Sequence, residues 1–361
     1  MKEAFLYKKL EERKAQNTYR SLRLPDGKID FCSNDYLGLG RNPLMKISGS
    51  ETAHASTGSR LLTGNYPLIE ETERIISVFH NAETALLYNS GYDANLGLFS
   101  CVPQRGDTVL YDYLSHASIR DGIRLSFAEA FSFAHNDIED LEKKLKTAKG
   151  NIFVVTESVF SMDGDLAPLT EMSSLCKRYD ASLIVDEAHA TGVLGDKGEG
   201  LVQQLKLEQD CFARIHTFGK ALGAHGAVVL GSNQLKEYLV NFSRAFIYTT
   251  ALPEIATATI KRAYELFPAM NQERNQLDQL IRYFRQSTLR FDMLPSDTPI
   301  QAVLIPGNQE VKVMAAELQK AGLDVRPILY PTVPKGGERL RIVMHAFNTT
   351  DELKRLTELL T

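Results

Sequence analysis

The chain has 361 residues, 43% hydrophobic and 24% charged, with 24 glycines, 13 prolines and a formal net charge of −4. This ordinary balance excludes disordered, collagen-like and disulfide-scaffold classes, and the lack of a basic block disfavours a nucleic-acid reader. No run approaches 18 apolar residues, and the charged start Met1–Lys9 lacks an apolar core, so we expect neither a membrane span nor a secretory signal. The four cysteines lie at least 35 residues apart, without metal-ligand or redox-motif spacing, which predicts reduced thiols in the cytoplasm.

The predicted elements begin with an amphipathic helix within residues 2–17 and an extended segment at Lys28–Cys32. From about Pro67 to Val229, short β-branched runs then alternate with stretches of helical period. The strand candidates are Thr84–Tyr88, Thr108–Tyr111, Ile152–Thr156, Ser182–Val185, Ile215–Thr217 and Ala227–Leu230. Helices such as Ile138–Leu145 and Leu169–Tyr179 lie between them. This alternation predicts an α/β domain with a mostly parallel mixed sheet covered on both faces.

The pattern changes after about residue 270. A long polar helix at Gln272–Leu289 precedes a helix at 310–321 and a strand at Leu340–Met344. The last helix starts at Thr349–Glu352, which fits a capping box. We therefore expect three parts: an N-terminal helix and extended arm over 1–40, a large α/β domain over 41–270, and a smaller α+β C-terminal domain over 271–361.

Reactive side chains directly follow several of the predicted strands, where open α/β sheets bind their ligands. Asn89–Tyr92 is a small-residue turn before a helix, and it is either an anion site or an ordinary strand-to-helix turn. His116 follows the next strand and means little alone. The run Glu157–Asp165 contributes either to a site or to an acidic surface loop.

The strongest signals are a carboxylate and a lysine. Asp186 ends a buried strand, and His189 follows three residues later; a metal pair or a nucleotide-binding carboxylate stays open, although no third metal ligand stands at the usual spacing. Thr217 and Lys220 share a turn flanked by glycines in apolar sequence, which favours an amine able to form a Schiff base over a surface charge.

These parts together predict pyridoxal phosphate as the cofactor. The lysine would hold its aldehyde, the carboxylate would keep its pyridine nitrogen protonated, and a helix start would bind its phosphate. The sequence has no Walker pattern and no GxGxxG after a strand, which disfavours nucleoside triphosphates and dinucleotides. We expect no metal.

Six segments, in the same order, resemble the α-oxoamine synthases, which are fold-type-I pyridoxal-phosphate enzymes joining an amino acid to an acyl thioester with loss of CO2. These segments are Ser33–Gly38, Leu114–Ser118, Ser158–Asp165, Asp186–Gly192, Thr217–Lys220 and Tyr330–Pro334. The resemblance runs from about residue 10 to the C-terminus. It implies the aspartate-aminotransferase-like fold and a homodimer whose active sites lie at the dimer interface, with the Asn34 and Thr249–Thr250 segments crossing over.

The resemblance also implies individual roles. Lys220 would carry the cofactor and act as the base, Asp186 would pair with the pyridine nitrogen, and His116 would stack on the ring. His189 would donate to the ring hydroxyl. Further cofactor contacts are implied for Gly91, Tyr92, Ser161, Thr217 and Thr250 (or Thr249), the last from the neighbouring subunit. Substrate contacts are implied for Arg20, Thr332 and Arg341, and Arg341 would clamp the amino-acid carboxylate.

Within the family, the short length and the Ala134–Asp137 stretch favour the biotin-pathway branch, which uses L-alanine and a pimeloyl thioester on CoA or on an acyl carrier protein. Leu329 replaces an arginine often found in that branch, Tyr330 is more like the aminolevulinate branch, and Ala55–Arg60 departs from the family's glycine-rich stretch. Alternatives are therefore the glycine C-acetyltransferase (2-amino-3-ketobutyrate CoA ligase), 5-aminolevulinate synthase and serine palmitoyltransferase types, an aminotransferase of the same fold, and a catalytically silent partner subunit.

Overall fold

The computed structural model describes residues 2–22, 24, 26–47 and 53–361. Its strands are β1 Ile29–Asp30, β2 Thr84–Tyr88, β3 Thr108–Asp112, β4 Glu129–Phe133, β5 Ile152–Glu157, β6 Ala181–Asp186, β7 Cys211–Thr217, β8 Ala227–Gly231, β9 Ile300–Leu304, β10 Leu323–Asp324, β11 Arg326–Ile328 and β12 Arg339–Val343. Its α-helices are α1 Ala4–Ala15, α2 Pro67–Phe79, α3 Gly91–Cys101, α4 Ala117–Leu125, α5 Ile138–Leu145, α6 Leu169–Arg178, α7 Leu201–Gln204, α8 Asn233–Phe242, α9 Arg244–Ile247, α10 Glu254–Leu266, α11 Asn271–Gln286, α12 Asn308–Lys320 and α13 Thr350–Leu360. Among the described residues, no helix has both the length and the apolar character needed to cross a membrane.

The chain forms two compact units. The first unit combines Met1–Asn34, Met162–Asp165 and Asn275–Thr361, and the second combines Asp35–Ser161 and Leu166–Arg274. The domain boundaries near residues 40 and 270, which were inferred from the sequence, stay predictions.

The second unit is built on a seven-stranded sheet in the order β2-β8-β7-β6-β5-β3-β4. Strands β7, β6, β5, β3 and β4 are parallel, and β8 runs antiparallel to both of its neighbours. Helices α3 and α4 pack on the sheet around a core that includes Leu98, Phe99 and Ile119. The predicted mostly parallel mixed sheet is therefore confirmed.

The first unit contains a three-stranded antiparallel sheet, β11-β12-β9. It also contains a parallel pair of β1 with β10, in which Ile29 lies opposite Leu323. The final helix α13 begins with the predicted capping box: the Thr349 hydroxyl accepts from the Glu352 amide, and the Glu352 carboxylate accepts from the Thr349 amide. This unit has the α+β character expected of the C-terminal part.

Candidate active site

The carboxyl ends of β3, β5, β6 and β7 meet at one edge of the parallel sheet, since these strands run side by side in one direction. Four of the predicted site residues follow or end these strands: His116, Asp186, His189 and Lys220. The edge is therefore where the second unit brings its reactive side chains together.

The start of helix α3 forms the first part of the site. Ser90 caps the helix by accepting from the Asp93 amide, which leaves the first-turn amides of Gly91 and Tyr92 without intrahelical acceptors. A Cβ added at Gly91 would lie 2.4 Å from Cγ2 of Thr217, so only glycine allows this close approach. The hydroxyl oxygen of Thr217 is buried and has no hydrogen-bond partner. The first-turn amides of this helix, next to a hydroxyl that has no hydrogen-bond partner, are suited to binding an anion such as phosphate.

Thr249 and Thr250 lie against the same helix start within one chain. The side-chain amide of Asn89 donates to the Thr249 hydroxyl at 3.0 Å and to the Thr250 carbonyl at 2.8 Å. Tyr92, by contrast, is an exposed side chain whose hydroxyl donates to Asp121. Its side chain therefore points along the surface toward Asp121, and its amide is the part that belongs to the helix start.

Asp186 is held by a chain of hydrogen bonds that ends at His116. The carboxylate is 5% exposed and accepts from the Asn95 side-chain amide at 2.8 Å and from the Ala188 amide at 2.9 Å. The same Asn95 amide also donates to the Ser118 hydroxyl at 3.0 Å, and that hydroxyl lies 2.7 Å from Nδ1 of His116. The arrangement fixes an acidic group and an imidazole at one edge of the sheet.

Glu157 is a second buried carboxyl beside Asp186. It lies opposite Asp186 in the β5–β6 register and accepts from the His116 amide at 2.5 Å. Burial raises the pKa of Glu157 to about 8, the negative Asp186 adds to this, and the His116 amide opposes it. Glu157 is thus a buried, proton-holding group, and the interpretation of its segment as an acidic surface loop is wrong at this residue.

His116 caps helix α4 and is itself exposed to solvent. The atoms packed around its ring nevertheless lower its pKa below the ordinary histidine value; Asp186 opposes the shift, and the positive Lys220 adds to it. A neutral imidazole with an open face is suited to covering a flat aromatic ring.

Lys220 lies on the loop that joins the antiparallel strands β7 and β8. Hydrogen bonds from Phe218 to Gly226, from Ala224 to Phe218 and from Gly223 to the Lys220 carbonyl close this loop. Gly223 has φ +58°, and a Cβ there would lie 2.2 Å from the Gly40 amide nitrogen, so the turn requires glycine. The lysine is therefore presented from a tightly built loop, half-buried.

His189 lies on the turn after β6 and is buried. Its Nδ1 lies 2.6 Å from the hydroxyl of Tyr36, which comes from the Ser33–Gly38 segment. Ser161, four residues beyond the end of β5, is half-buried. Among the described residues, no cluster of three possible metal ligands includes Asp186 or His189.

The predicted substrate residues belong to the first unit. Arg341 lies on β12 and donates to the Asn34 side-chain carbonyl at 2.9 Å. Arg20 and Thr332 are both exposed, and the guanidinium lies 3.5 Å from the hydroxyl, at the limit of a hydrogen bond. The structure therefore forms two pairs, Arg341 with Asn34 and Arg20 with Thr332.

Two segments depart from the family pattern, the Ala55–Arg60 stretch and the segment around Leu329, and both are described by the structure. Arg60, at the end of the altered Ala55–Arg60 stretch, pairs with the buried Glu73 at 2.7 Å. Ser56 donates to the Leu252 carbonyl at 2.5 Å. Leu329 is half-buried beside the exposed Tyr330. The altered stretch is thus anchored by its own side chains.

Asn95 was not predicted from the sequence, and Ser118, Glu157 and Tyr36, which lie in quoted segments, were given no role. Asn95 lies in the middle of α3 and Ser118 in the first turn of α4, so neither follows a strand. The signal that the sequence offered for Asn95 was a polar residue within a mainly apolar helix.

The residues of the second unit suit pyridoxal phosphate. The orphaned Thr217 hydroxyl and the α3 amides match a phosphate, and the donor-supported Asp186 matches a protonated ring nitrogen. Lys220 matches an aldehyde. The site therefore offers the carboxylate and the amine that this cofactor requires, on Asp186 and Lys220.

The sheet and its strand-end residues define a fold-type-I transferase of the kind that uses pyridoxal phosphate. Residues 26–360 match the aminotransferase class I and II family; the chain belongs to it and, within it, to the α-oxoamine synthases.

Known relatives and solved structures that are similar to this chain are also α-oxoamine synthases. The chain is 42% identical to an 8-amino-7-oxononanoate synthase of Emericella nidulans, covering 93% of this chain and 89% of that protein. It is 39% identical to the synthase of the same name from Marinobacter nauticus, covering 97% and 93%. A serine palmitoyltransferase from Sphingomonas wittichii superposes with a TM-score of 0.88 at 27% identity, covering 99% and 96%. The 8-amino-7-oxononanoate synthase of Francisella tularensis superposes with a TM-score of 0.76 at 29% identity, covering 93% and 97%.

Proposed function

We propose that this chain is an 8-amino-7-oxononanoate synthase, which condenses L-alanine with a pimeloyl thioester and releases CO2 and the thiol carrier. The observation that carries this proposal is the set of relatives bearing that name, which are 38–42% identical over 90–99% of this chain. The arrangement of Lys220, Asp186 and His116 supports the reaction type, and the proposed substrates are those of the relatives.

The cofactor is pyridoxal phosphate, which, when bound, supplies a carbonyl for the amino group of the substrate and a ring that accepts electrons from the α-carbon. The amides of Gly91 and Tyr92 and the hydroxyl of Thr217 would hold its phosphate. Thr250 or Thr249 of a second copy and Ser161 of the same copy are proposed further contacts.

The other residues of the second unit move a proton or position the groups that hold one. The Lys220 amine removes the proton from the alanine α-carbon and later returns one. The Asp186 carboxylate would keep a proton on the nitrogen of the cofactor ring, and Asn95 keeps that carboxylate oriented. His116 would cover one face of the cofactor ring, and Glu157 holds the backbone of His116 in place.

Arg341 is the proposed clamp for the alanine carboxylate, because a guanidinium binds a carboxylate through two parallel hydrogen bonds. Its present hydrogen bond to Asn34 orients it. Arg20 and Thr332 are proposed contacts for the thioester, and both are exposed, as an entrance for a large carrier would require.

The decisive experiment is a panel of thioesters (pimeloyl, succinyl, acetyl and palmitoyl) against alanine, glycine and serine, with CO2 and free thiol as readouts. Alanine with a pimeloyl thioester should be the fastest pair. Faster turnover of glycine with succinyl-CoA or acetyl-CoA would assign the chain to a sister branch. Amino-group transfer without CO2 would instead indicate an aminotransferase, and no turnover with any pair would indicate a silent partner subunit.

A serine palmitoyltransferase activity is the second candidate. Six of the solved structures with TM-scores of 0.85–0.89 are serine palmitoyltransferases or variants labelled SPT. Leu329, in place of an arginine often found in the biotin branch, removes one charge that would suit a carboxylated acyl tail. The palmitoyl arm of the panel with serine tests this candidate directly.

We also propose a cytoplasmic homodimer that accepts its acyl group from CoA or from an acyl carrier protein. The four cysteines are free thiols, which suits a reducing compartment. Comparing pimeloyl-CoA with the pimeloyl carrier protein at equal concentration decides the carrier.

A further inference from the structure

Tyr36 is a fully buried tyrosine that the proposed reaction does not use. Its hydroxyl lies 2.6 Å from Nδ1 of His189, and the two rings are tilted by 52° with their centroids 6.2 Å apart. His189 is also buried, three residues after the Asp186 carboxylate. A short contact between two buried polar groups is a strong constraint on both.

The segment that carries Tyr36 is itself held tightly. A Cβ at Gly192, on the turn after β6, would lie 2.7 Å from Cβ of Ala221 and 3.6 Å from Cδ1 of Leu37. The neighbouring Gly40 approaches Gly223 so closely that a Cβ on Gly223 would lie 2.2 Å from its amide nitrogen. Tyr36 therefore belongs to a rigid packing of three segments: its own, the His189 turn and the Lys220 loop.

The contact bears on the proton of the imidazole. A neutral imidazole carries one N–H, and the partner of one ring nitrogen decides which nitrogen keeps it. A phenol is a stronger acid than a neutral imidazole N–H, and an imidazole nitrogen is a stronger base than a phenol oxygen. The O–H···N arrangement is therefore the stronger one, and it leaves the proton of His189 on Nε2.

We propose that Tyr36 is a positioning residue that holds His189 in the tautomer protonated on Nε2, so that this nitrogen donates to the ring hydroxyl of the cofactor. The proposal rests on the proposed function for the location of the cofactor. Loss of the Tyr36 hydroxyl removes this preference, and the competing tautomer, protonated on Nδ1, has no donor on Nε2.

The test uses the holoenzyme labelled with ¹⁵N, whose histidine side-chain signals report which ring nitrogen carries the proton. His189 is assigned from its absence in His189→Asn. In the unmodified protein, Nδ1 of His189 should give the signal of an unprotonated acceptor. This measurement needs no Tyr36 variant, so it stands even where a variant fails to fold.

Tyr36→Phe removes only the hydroxyl. We expect a mixture of His189 tautomers and a rise in the cofactor dissociation constant of about ten-fold, the size of one lost hydrogen bond. The KM for alanine should change less than kcat, because the amino-acid carboxylate is bound elsewhere. The matched control is Tyr264→Phe, since Tyr264 is another buried tyrosine whose hydroxyl lies 2.9 Å from a histidine, Nε2 of His80. It should alter the His80 signals and leave His189 and cofactor affinity unchanged.

Protonated Nδ1 on His189 in the unmodified protein, or identical His189 signals in the protein and in Tyr36→Phe, would overturn the proposal. Equal losses of cofactor affinity in Tyr36→Phe and Tyr264→Phe would also overturn it, because a general packing effect would then explain them. The spectra are recorded without substrate. Failure of alanine and pimeloyl thioester to react therefore contradicts the proposed function and leaves the tautomer result standing.

Discussion

Lys220 is the residue whose replacement most directly tests cofactor attachment. Lys220→Ala should abolish the borohydride-stable link to pyridoxal phosphate, because no other amine occupies this turn of the β7–β8 loop. Intact-protein mass after reduction measures the link. Lys197→Ala, a change at an exposed lysine, should keep it. A reduced adduct at another lysine in Lys220→Ala would contradict the assignment.

Asp186→Asn should separate cofactor binding from activation. The amide lacks the negative charge that holds a proton on the ring nitrogen, so exchange of the alanine α-proton with solvent should fall by at least ~10²-fold. Proton NMR in deuterated water follows this exchange, and absorbance shows that the cofactor stays bound. The matched change Asp196→Asn, at an exposed aspartate, should have no effect. An unchanged exchange rate in Asp186→Asn would give that carboxylate a different task.

The sequence predicted the principal residues of the site but not their supports. Asp186 and Lys220 follow strands, and a pattern of apolar runs locates strand ends. Asn95 and Ser118 come from helix faces, and helical period alone does not tell which polar side chain meets which strand end. The hydrogen bonds from Asp186 to His116 therefore required the structure.

The pairing of β5 with β6 brings Glu157 beside Asp186, and this has a consequence for stability. The pKa of Glu157 in the folded protein is about 8, well above the roughly 4.3 of an exposed glutamate. Below the ordinary value, both states hold the proton. Between that value and 8, only the folded state holds it, so the free energy of unfolding decreases as the pH rises.

Glu157→Gln removes this titration and keeps an acceptor for the His116 amide. The decrease in the free energy of unfolding between pH 5 and pH 8 should become shallower by at least ~1 kcal/mol, a cautious fraction of the full shift. Urea unfolding at pH 5, 6.5 and 8 measures it. The pKa of Glu187, raised by burial to about 7, contributes equally to both proteins. Parallel pH profiles would contradict the expectation.

Helix α13 offers a test of a motif recognised in the sequence. Thr349→Ala removes the hydroxyl that accepts from the Glu352 amide and should lower the free energy of unfolding by about 1 kcal/mol. Thr349→Ser keeps the hydroxyl and should lose much less. Equal losses in the two variants would mean that the hydroxyl contributes nothing.

Six strands of the seven-stranded sheet were predicted to within a few residues, whereas β4 and, outside that sheet, the buried strand β9 were not predicted. β2 has the predicted bounds, and β5 and β6 are longer by one or two residues. β4 was missed because its first three residues are exposed, so that no apolar run marks it. The short β10 and β11 were also missed, since two or three residues carry no periodicity.

At the scale of the whole molecule, oligomerisation is the property to test. Leu62 and Tyr248 are 80% and 73% exposed. Their segments lie together, because the Ala251 amide donates to the Gly58 carbonyl at 2.9 Å. Exposed apolar side chains gathered beside a site are typical of an interface.

We expect sedimentation to give a dimer, and Leu62→Asp to give a monomer with reduced activity. Val313→Asp, at an exposed apolar position of α12, should stay dimeric. Full activity from a wild-type monomer would contradict the proposed dimer. The α/β class followed from the alternation of strands and helices, and the fold type followed from the family resemblance, whereas neither reveals which exposed residues a second copy covers.

The parallel pairing of β1 with β10 also orders events on the ribosome. Ile29 is translated long before its partner Leu323. Phe31 is paired later still, because its carbonyl accepts a hydrogen bond from the Val343 amide. Until those partner residues are translated, this segment is therefore an unpaired edge, open to proteases and to strands of other nascent chains. A chain that terminates before residue 323 leaves the segment without its partner strand, so the pairing of β1 depends on residues that are translated much later.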